Sequence, residues 1–171
     1  MGDIMYYINT FFINSIIGFL FETIWCTILG WNSNSGILYG PWTPVYGIGC
    51  IIIIIIYDWL NKKLENKFSK FVIFAIITPI LLSSIEMIGG YIIEAIFNQT
   101  FWDYSDHKFN IDKYASLEMT LIWLIAAFFY IFVLRKIIDK FIYYIPKQLT
   151  YILIFLFITD LFITLILKLN L

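Results

Sequence analysis

Charge is scarce in this chain: 11 Lys and Arg with 12 Asp and Glu make up 13% of 171 residues, against 61% hydrophobic. A soluble domain runs to about 45–50% apolar and about 25% charged. At a mean hydropathy of +0.87, no soluble fold of this length has interior enough for so much apolar surface, so lipid is the expected solvent. Cysteine and histidine are almost absent, at 2 and 1. Cys26 and Cys50 make no disulfide framework and fit no metal spacing. They read as two buried thiols, with a bridge near the outer surface as the alternative. No Pro/Gly/Ser linker and no internal repeat divides the chain. The first apolar run lacks a basic flank and a small-residue cleavage site, and it carries Glu22, so it is expected to be a retained helix rather than a secretory signal. The net charge of −1 says little, because charge in a membrane protein acts loop by loop. Heavy use of Ile, Asn and Lys suggests an AT-rich bacterial genome and thus a bacterial cell membrane.

What is present is long apolar runs. A hydrocarbon core of about 30 Å takes roughly 20 residues of helix, and five segments qualify: Tyr6–Leu29, Pro44–Leu60, Phe71–Phe97, Ala115–Leu134 and Thr150–Leu169. The expected fold is all-α, a polytopic bundle of about five transmembrane helices forming a single integral membrane domain over residues 1–171. Pro79 is expected to kink or tilt the third span. Lys62, Lys63, Lys67 and Lys70 fall between spans two and three, and Arg135, Lys136, Lys140 and Lys147 between four and five. The opposite side has only Lys108, Lys113 and Lys168. Eight basic residues against three place the N-terminus in the cytoplasm and the C-terminus outside.

That orientation puts five acids of the spans, Glu22, Glu86, Glu94, Glu118 and Asp160, in the outer half of the bilayer. A charge at the bilayer centre costs about 2.5–3.5 kcal/mol on insertion scales, so each acid needs a reason to be there. Asn14, Gly18 and Glu22 share one face of the first span, and Ser83, Glu86, Gly90 and Glu94 share one face of the third. Thr159, Asp160 and Thr164 make the fifth span polar at comparable depth. Together they suggest an outward-facing, carboxylate-lined cavity. The competing reading is that buried acids hydrogen-bond neighbouring helices; for Glu118, a first-turn acid complements the helix dipole.

Two outer loops complete the pattern. The first contains Gly36–Gly49, rich in glycine and proline, and reads as a re-entrant or capping loop with Tyr39, Trp42 and Tyr46 at the headgroup level. In the other, Asp103 and Ser105 shape a turn while Trp102 and Tyr104 anchor it at the interface. His107 reads as a solvated loop residue rather than a metal ligand. Asn98-Gln-Thr100 matches a glycosylation sequon, a pattern common by chance. No metal site is expected, though a divalent cation held by these oxygens would be Mg²⁺, Ca²⁺ or Mn²⁺.

Gly18-Phe-x-x-Glu22, Leu38-Tyr-Gly-Pro-x-x-Pro-x-Tyr-Gly47, Glu86 with Glu94, Trp102-Asp-Tyr-Ser105, Phe109-Asn110 and Leu117-Glu118 occur in that order. The combination resembles the CmpB-type ABC-transporter type IV family, over roughly Phe11 to Trp123. The resemblance implies a small multi-pass protein of mainly Gram-positive bacteria. It also implies transport, with no settled substrate or catalytic residue to carry over. The family pattern follows Phe-Asn with a Gly-Arg-type step; here the chain reads Ile111-Asp-Lys-Tyr114, and Lys113 takes the place of the cation.

The first functional expectation is therefore a permease-like transport subunit whose cavity takes a cation or a polar, cationic small molecule. No Gly-x-x-x-x-Gly-Lys-Ser/Thr run occurs, so ATP would be used through a separate ATPase subunit. Five spans are few for a complete pathway, which points to a homo-oligomer or partner, amid membrane lipids and without nucleic acid. The alternatives are an intramembrane enzyme or lipid-binding protein acting on a lipid-linked substrate at the outer leaflet, or an accessory scaffold subunit. No nucleophile–base arrangement favours the enzyme.

Overall fold

The computed structural model describes residues 3–28, 30 and 37–169. It contains five helical segments long and apolar enough to cross a membrane. Helix α1 is Asp3–Ile28, α2 Pro44–Lys63 and α3 Lys67–Phe97; α4 is Leu117–Phe129, α5 Arg135–Ile142 and α6 Lys147–Leu169. Two short strands, β1 (Asn110–Asp112) and β2 (Ala115–Ser116), form an antiparallel hairpin before α4.

All five expected spans are present, and their ends differ in instructive ways. The lysines expected in the loop between spans two and three lie on helix: Lys62 and Lys63 in the last turn of α2, Lys67 and Lys70 in the first turns of α3. Cations suit the last turn of a helix, and Asn66 caps α3 by accepting from the Phe68 and Ser69 amides. Arg135, Lys136 and Lys140 likewise leave their expected loop. After a π-type turn at Tyr130–Leu134 the fourth span runs on into α5. There polar 135, 136, 139 and 140 alternate with apolar 137, 138, 141 and 142 at helical period, so the segment stays helical. Pro79 lies inside α3, which continues on both sides of it. The other end of α3 stops at Asn98, in the left-handed region at φ 51°, its N–H bonded to the Glu94 carbonyl at 2.8 Å. Asn tolerates that conformation, so the first residue of the sequon serves as a helix cap.

The chain divides into two compact units. The first comprises Met1–Ile51 with Ile137–Leu171. Within it α1 lies against α6, joined by a Thr150 hydroxyl donating to Asn9 Oδ1 at 2.7 Å, and meets α5 through a Tyr6 hydroxyl donating to Asp139 at 2.9 Å. Small residues let α2 approach α1. A Cβ on Gly18 would collide with the Tyr46 ring, and one on Gly47 with the Phe11 carbonyl oxygen and Ser15 Oγ. Gly47→Ala is thus expected to lower stability by about 1–3 kcal/mol, measured as the unfolding midpoint in mixed micelles. Cys26 and Cys50, both in this unit, are not disulfide-bonded.

The second unit is Ile52–Lys136. Here α3 packs along α4, with Ser83 and Thr120 hydroxyls 2.8 Å apart and Phe74 set edge-on to Phe128. The Tyr114 ring lies on Gly90 of α3, where any Cβ would displace it. Arg135 makes a two-pronged ion pair with Asp58 at 2.7 and 2.8 Å. This basic residue balances a carboxylate of α2 instead of standing free.

Candidate functional site

In the first unit the loop between α1 and α2 folds back along α1. By Thr43 the chain has returned to mid-helix, where the Thr43 amide donates to the Ser15 carbonyl at 3.0 Å. That is roughly 20 Å of helix axis back from Ile28, at about 1.5 Å per residue. Irregular backbone at such depth must have its polar groups satisfied from within the protein. Asp160 of α6 does this. Its carboxylate accepts from the Tyr39 amide (3.1 Å), the Gly40 amide (2.8 Å), the Trp42 indole N–H (2.6 Å) and the Thr164 hydroxyl (3.2 Å). Lys168, in the last turn of α6, donates to the Ile37 carbonyl at 2.7 Å and lies over the Tyr39 ring. Residues 37–43 thus lie along α1 and α6, while residues 31–36, which include Gly36, lie outside the described residues. The headgroup placement of Trp42 is corrected. It is 5% exposed and packs edge-on to Phe12 and Phe157, because its N–H is claimed by Asp160. Tyr46 is half-buried on Gly18, and only Tyr39 is exposed.

Glu22 differs from Asp160. Its side chain is half-buried on α1 and has no hydrogen-bond or ion-pair partner among the described residues. Below it on the same helix Asn9, Thr10, Asn14 and Ser15 are buried. The Asn9 amide nitrogen and the Thr10 and Ser15 hydroxyls lack hydrogen-bond partners among the described residues.

In the second unit the loop before α4 descends onto α3 in a similar way. Glu86, buried, accepts from the Tyr104 hydroxyl at 2.8 Å on one oxygen and from the Trp123 indole N–H at 2.7 Å on the other. Glu94 pairs with Lys113, and the Tyr91 hydroxyl donates to Asp112, so the turn of the hairpin is fastened to α3 at two adjacent residues. The Tyr104 amide donates to the Lys113 carbonyl at 2.7 Å and closes the loop on itself. Asp103 and Ser105 form the expected turn, the Ser105 amide donating to Asp103 at 2.8 Å. Trp102 and Tyr104, expected as interfacial anchors, instead turn inward: Trp102 is half-buried against Tyr114 and Tyr104 reaches Glu86. Asn110 sits exposed in β1. Glu118 is in the first turn of α4 as expected, and also accepts from the Phe109 amide at 3.2 Å.

His107 is half-buried rather than solvated. Its Nδ1 lies 2.9 Å from Ser116 Oγ, and its ring lies 5.0 Å from that of Tyr104. Ser116 is in turn the N-cap of α4, accepting from the Met119 amide. Among the described residues no group of three or more His, Cys, Asp or Glu could hold a metal ion.

Electrostatics of the hairpin follow from these bonds. Hydrogen bonds from Ser105 hold the Asp103 carboxyl below its ordinary range, and the Tyr91 hydroxyl does the same for Asp112. Glu94 raises Lys113. A lowered carboxylate value stabilises the folded loop above the unfolded value of about 4 and ceases to as pH falls through the folded value. A raised lysine value stabilises below about 10.4 and fails as pH climbs through the folded value. Protection of residues 103–113 from proteolysis is therefore expected to be flat from about pH 5 to 9 and to weaken on both sides.

The five acids are thus divided, Glu22 and Asp160 in one unit and Glu86, Glu94 and Glu118 in the other. Four of them hold loop groups. Sequence reasoning missed the partners Gly40, Trp123 and Lys168. A tryptophan in mid-span was the available signal, since its N–H must find an acceptor.

The chain resembles no curated protein and no solved structure. Residues 9–167, nearly its whole length, match the family described as "Putative ABC-transporter type IV". With five helices long and apolar enough to cross a membrane, the chain belongs to this family of ABC-transporter-related membrane proteins.

Proposed function

We propose that this protein is a permease-like subunit of a transport system energised by a separate ATPase, and that its solute is a cation or a polar, cationic small molecule. The observation that carries the reading is Glu22, an acid within a span that the protein does not use to hold itself together. Asp160, Glu86 and Glu94 have structural reasons for their cost; Glu22 has no partner among the described residues, which favours ligand contact as its reason. The buried polar groups of Asn9, Thr10 and Ser15 on the same helix supply positions where water or a hydrated solute would find partners. In this reading the N-terminus is cytoplasmic, the C-terminus external, and Glu22 faces the outer leaflet of a bacterial cell membrane. The expected carboxylate-lined cavity contracts to Glu22, while Asp160, Glu86, Glu94 and Glu118 hold the loops of their own units. A homo-oligomer or partner completes the pathway.

Glu22→Gln is expected to abolish solute uptake by reconstituted subunit and ATPase while leaving folded yield within about twofold, since no bond is lost. Unchanged uptake would end the reading. Orientation has its own test: a cysteine at Lys63 is expected to resist an impermeant maleimide on intact cells and to react after lysis.

A second reading, an accessory membrane subunit, is favoured by the engagement of four acids in loop attachment. It expects Glu22→Gln to be silent in uptake.

A further inference from the structure

Where α2 meets α3 around the Asn66 turn, the second unit encloses a cleft of about 330 Å³. Its floor is aromatic. Phe71 stacks on Phe128 at 4.9 Å and Phe128 on Phe132 at 5.9 Å, while Phe74 meets Phe128 and Tyr57 edge-on at 5.3 and 5.7 Å. Phe74 is buried, yet Phe71 and Phe132 keep 54% and 45% exposure, so the cleft opens along the apolar flank of the spans.

The rim has the opposite character. Lys67, Lys70 and Asn61 border the cleft, with Lys70 Nζ donating to Asn61 Oδ1 at 3.2 Å. The Lys67 ammonium has no partner among the described residues. Lys62 and Lys63 stand exposed close by in sequence, and Glu65 is the single acid of the turn. Asp58, one or two turns further along α2, is already paired with Arg135. An apolar slot therefore ends in a cationic lip with little to neutralise it.

We propose that this cleft binds one anionic phospholipid, its acyl chain along the aromatic floor and its phosphate between Lys67 and Lys70. The two halves of the site select the occupant together. A free phosphate makes no use of the floor, and a zwitterionic lipid brings its own cation against the lysines. Each basic side chain near a membrane surface is worth about fivefold in affinity for an anionic lipid, so two give roughly thirtyfold. The site is independent of Glu22 and of any solute.

The test uses the full chain in phosphatidylcholine nanodiscs containing a minor fraction of phosphatidylglycerol, with retained lipid counted by native mass spectrometry. Wild type is expected to retain phosphatidylglycerol about thirtyfold over its share of the bilayer. The variant K67Q/K70Q is expected to fall to within about threefold, while K62Q/K63Q, which removes the same charge outside the cleft, keeps the preference. Equal loss in both variants would reduce the effect to surface charge and overturn the proposal, as would a wild type without preference. Displacement of the lipid by millimolar inorganic phosphate would also overturn it, assigning the lysines to a soluble anion.

Discussion

Asp160→Ala is expected to lower stability by about 3 kcal/mol. Four hydrogen bonds at the roughly 0.6 kcal/mol average within membranes set the floor of that figure, and each stranded buried donor adds to it. Three of the partners, the Tyr39 and Gly40 amides and the Trp42 indole, are N–H groups that can only donate. The asparagine variant separates acceptor loss from volume loss. Its single oxygen serves Gly40 and Trp42 best, which turns its NH₂ toward the Thr164 hydroxyl, able to accept, and the Tyr39 amide, which is not. Asp160→Asn is thus expected to cost about 1–2 kcal/mol. Equilibrium unfolding in mixed micelles measures both; equal costs for Asn and Ala would mean that packing, and not donor satisfaction, is at stake.

Glu86 is expected to behave in the opposite way on amide substitution. Its partners are a Trp123 N–H, which can only donate, and a Tyr104 hydroxyl, which can do either. A glutamine that gives its oxygen to Trp123 and its NH₂ to Tyr104 satisfies every group. Glu86→Gln is therefore expected to remain within about 0.5 kcal/mol of wild type, and Glu86→Ala to cost about 2 kcal/mol or more. Adding Tyr104→Phe would remove the compensation: the glutamine should then lose its advantage. If Glu86→Gln instead destabilised as strongly as alanine, charge at that position would be indispensable and the neutral-bond account of Glu86 would fail.

The spans were legible because lipid imposes a length and a composition that five segments meet without competition. Helix ends were less so, since Arg135 to Ile142 leaves the apolar pattern yet keeps the helical period, and hydropathy alone stops at Leu134. The shared faces of Asn14, Gly18 and Glu22 and of Ser83, Glu86, Gly90 and Glu94 were readable from spacing, though Glu22 and Glu94 are only half-buried. The burial of Asn14, Gly18, Ser83, Glu86 and Gly90 agrees. What those faces meet was hidden. Asp160 is bonded to residues some 120 positions earlier, and no local pattern reports such a contact. Aromatic residues in the outer loops read as interfacial because tryptophan and tyrosine favour that zone. Trp42 and Tyr104 depart from it because a buried carboxylate needs donors. Both loop descents were therefore implicit in the acids, but only once the donors were known.

Carboxylates within the spans hold the loop segments, and amide hydrogen exchange at Tyr39 and Gly40 in lipid nanodiscs tests that most directly. Both amides are expected to be strongly protected in the wild type. In Asp160→Asn, Tyr39 is expected to lose protection while Gly40 largely keeps it. Fast exchange of both amides in the wild type, or identical protection in the variant, would contradict the account.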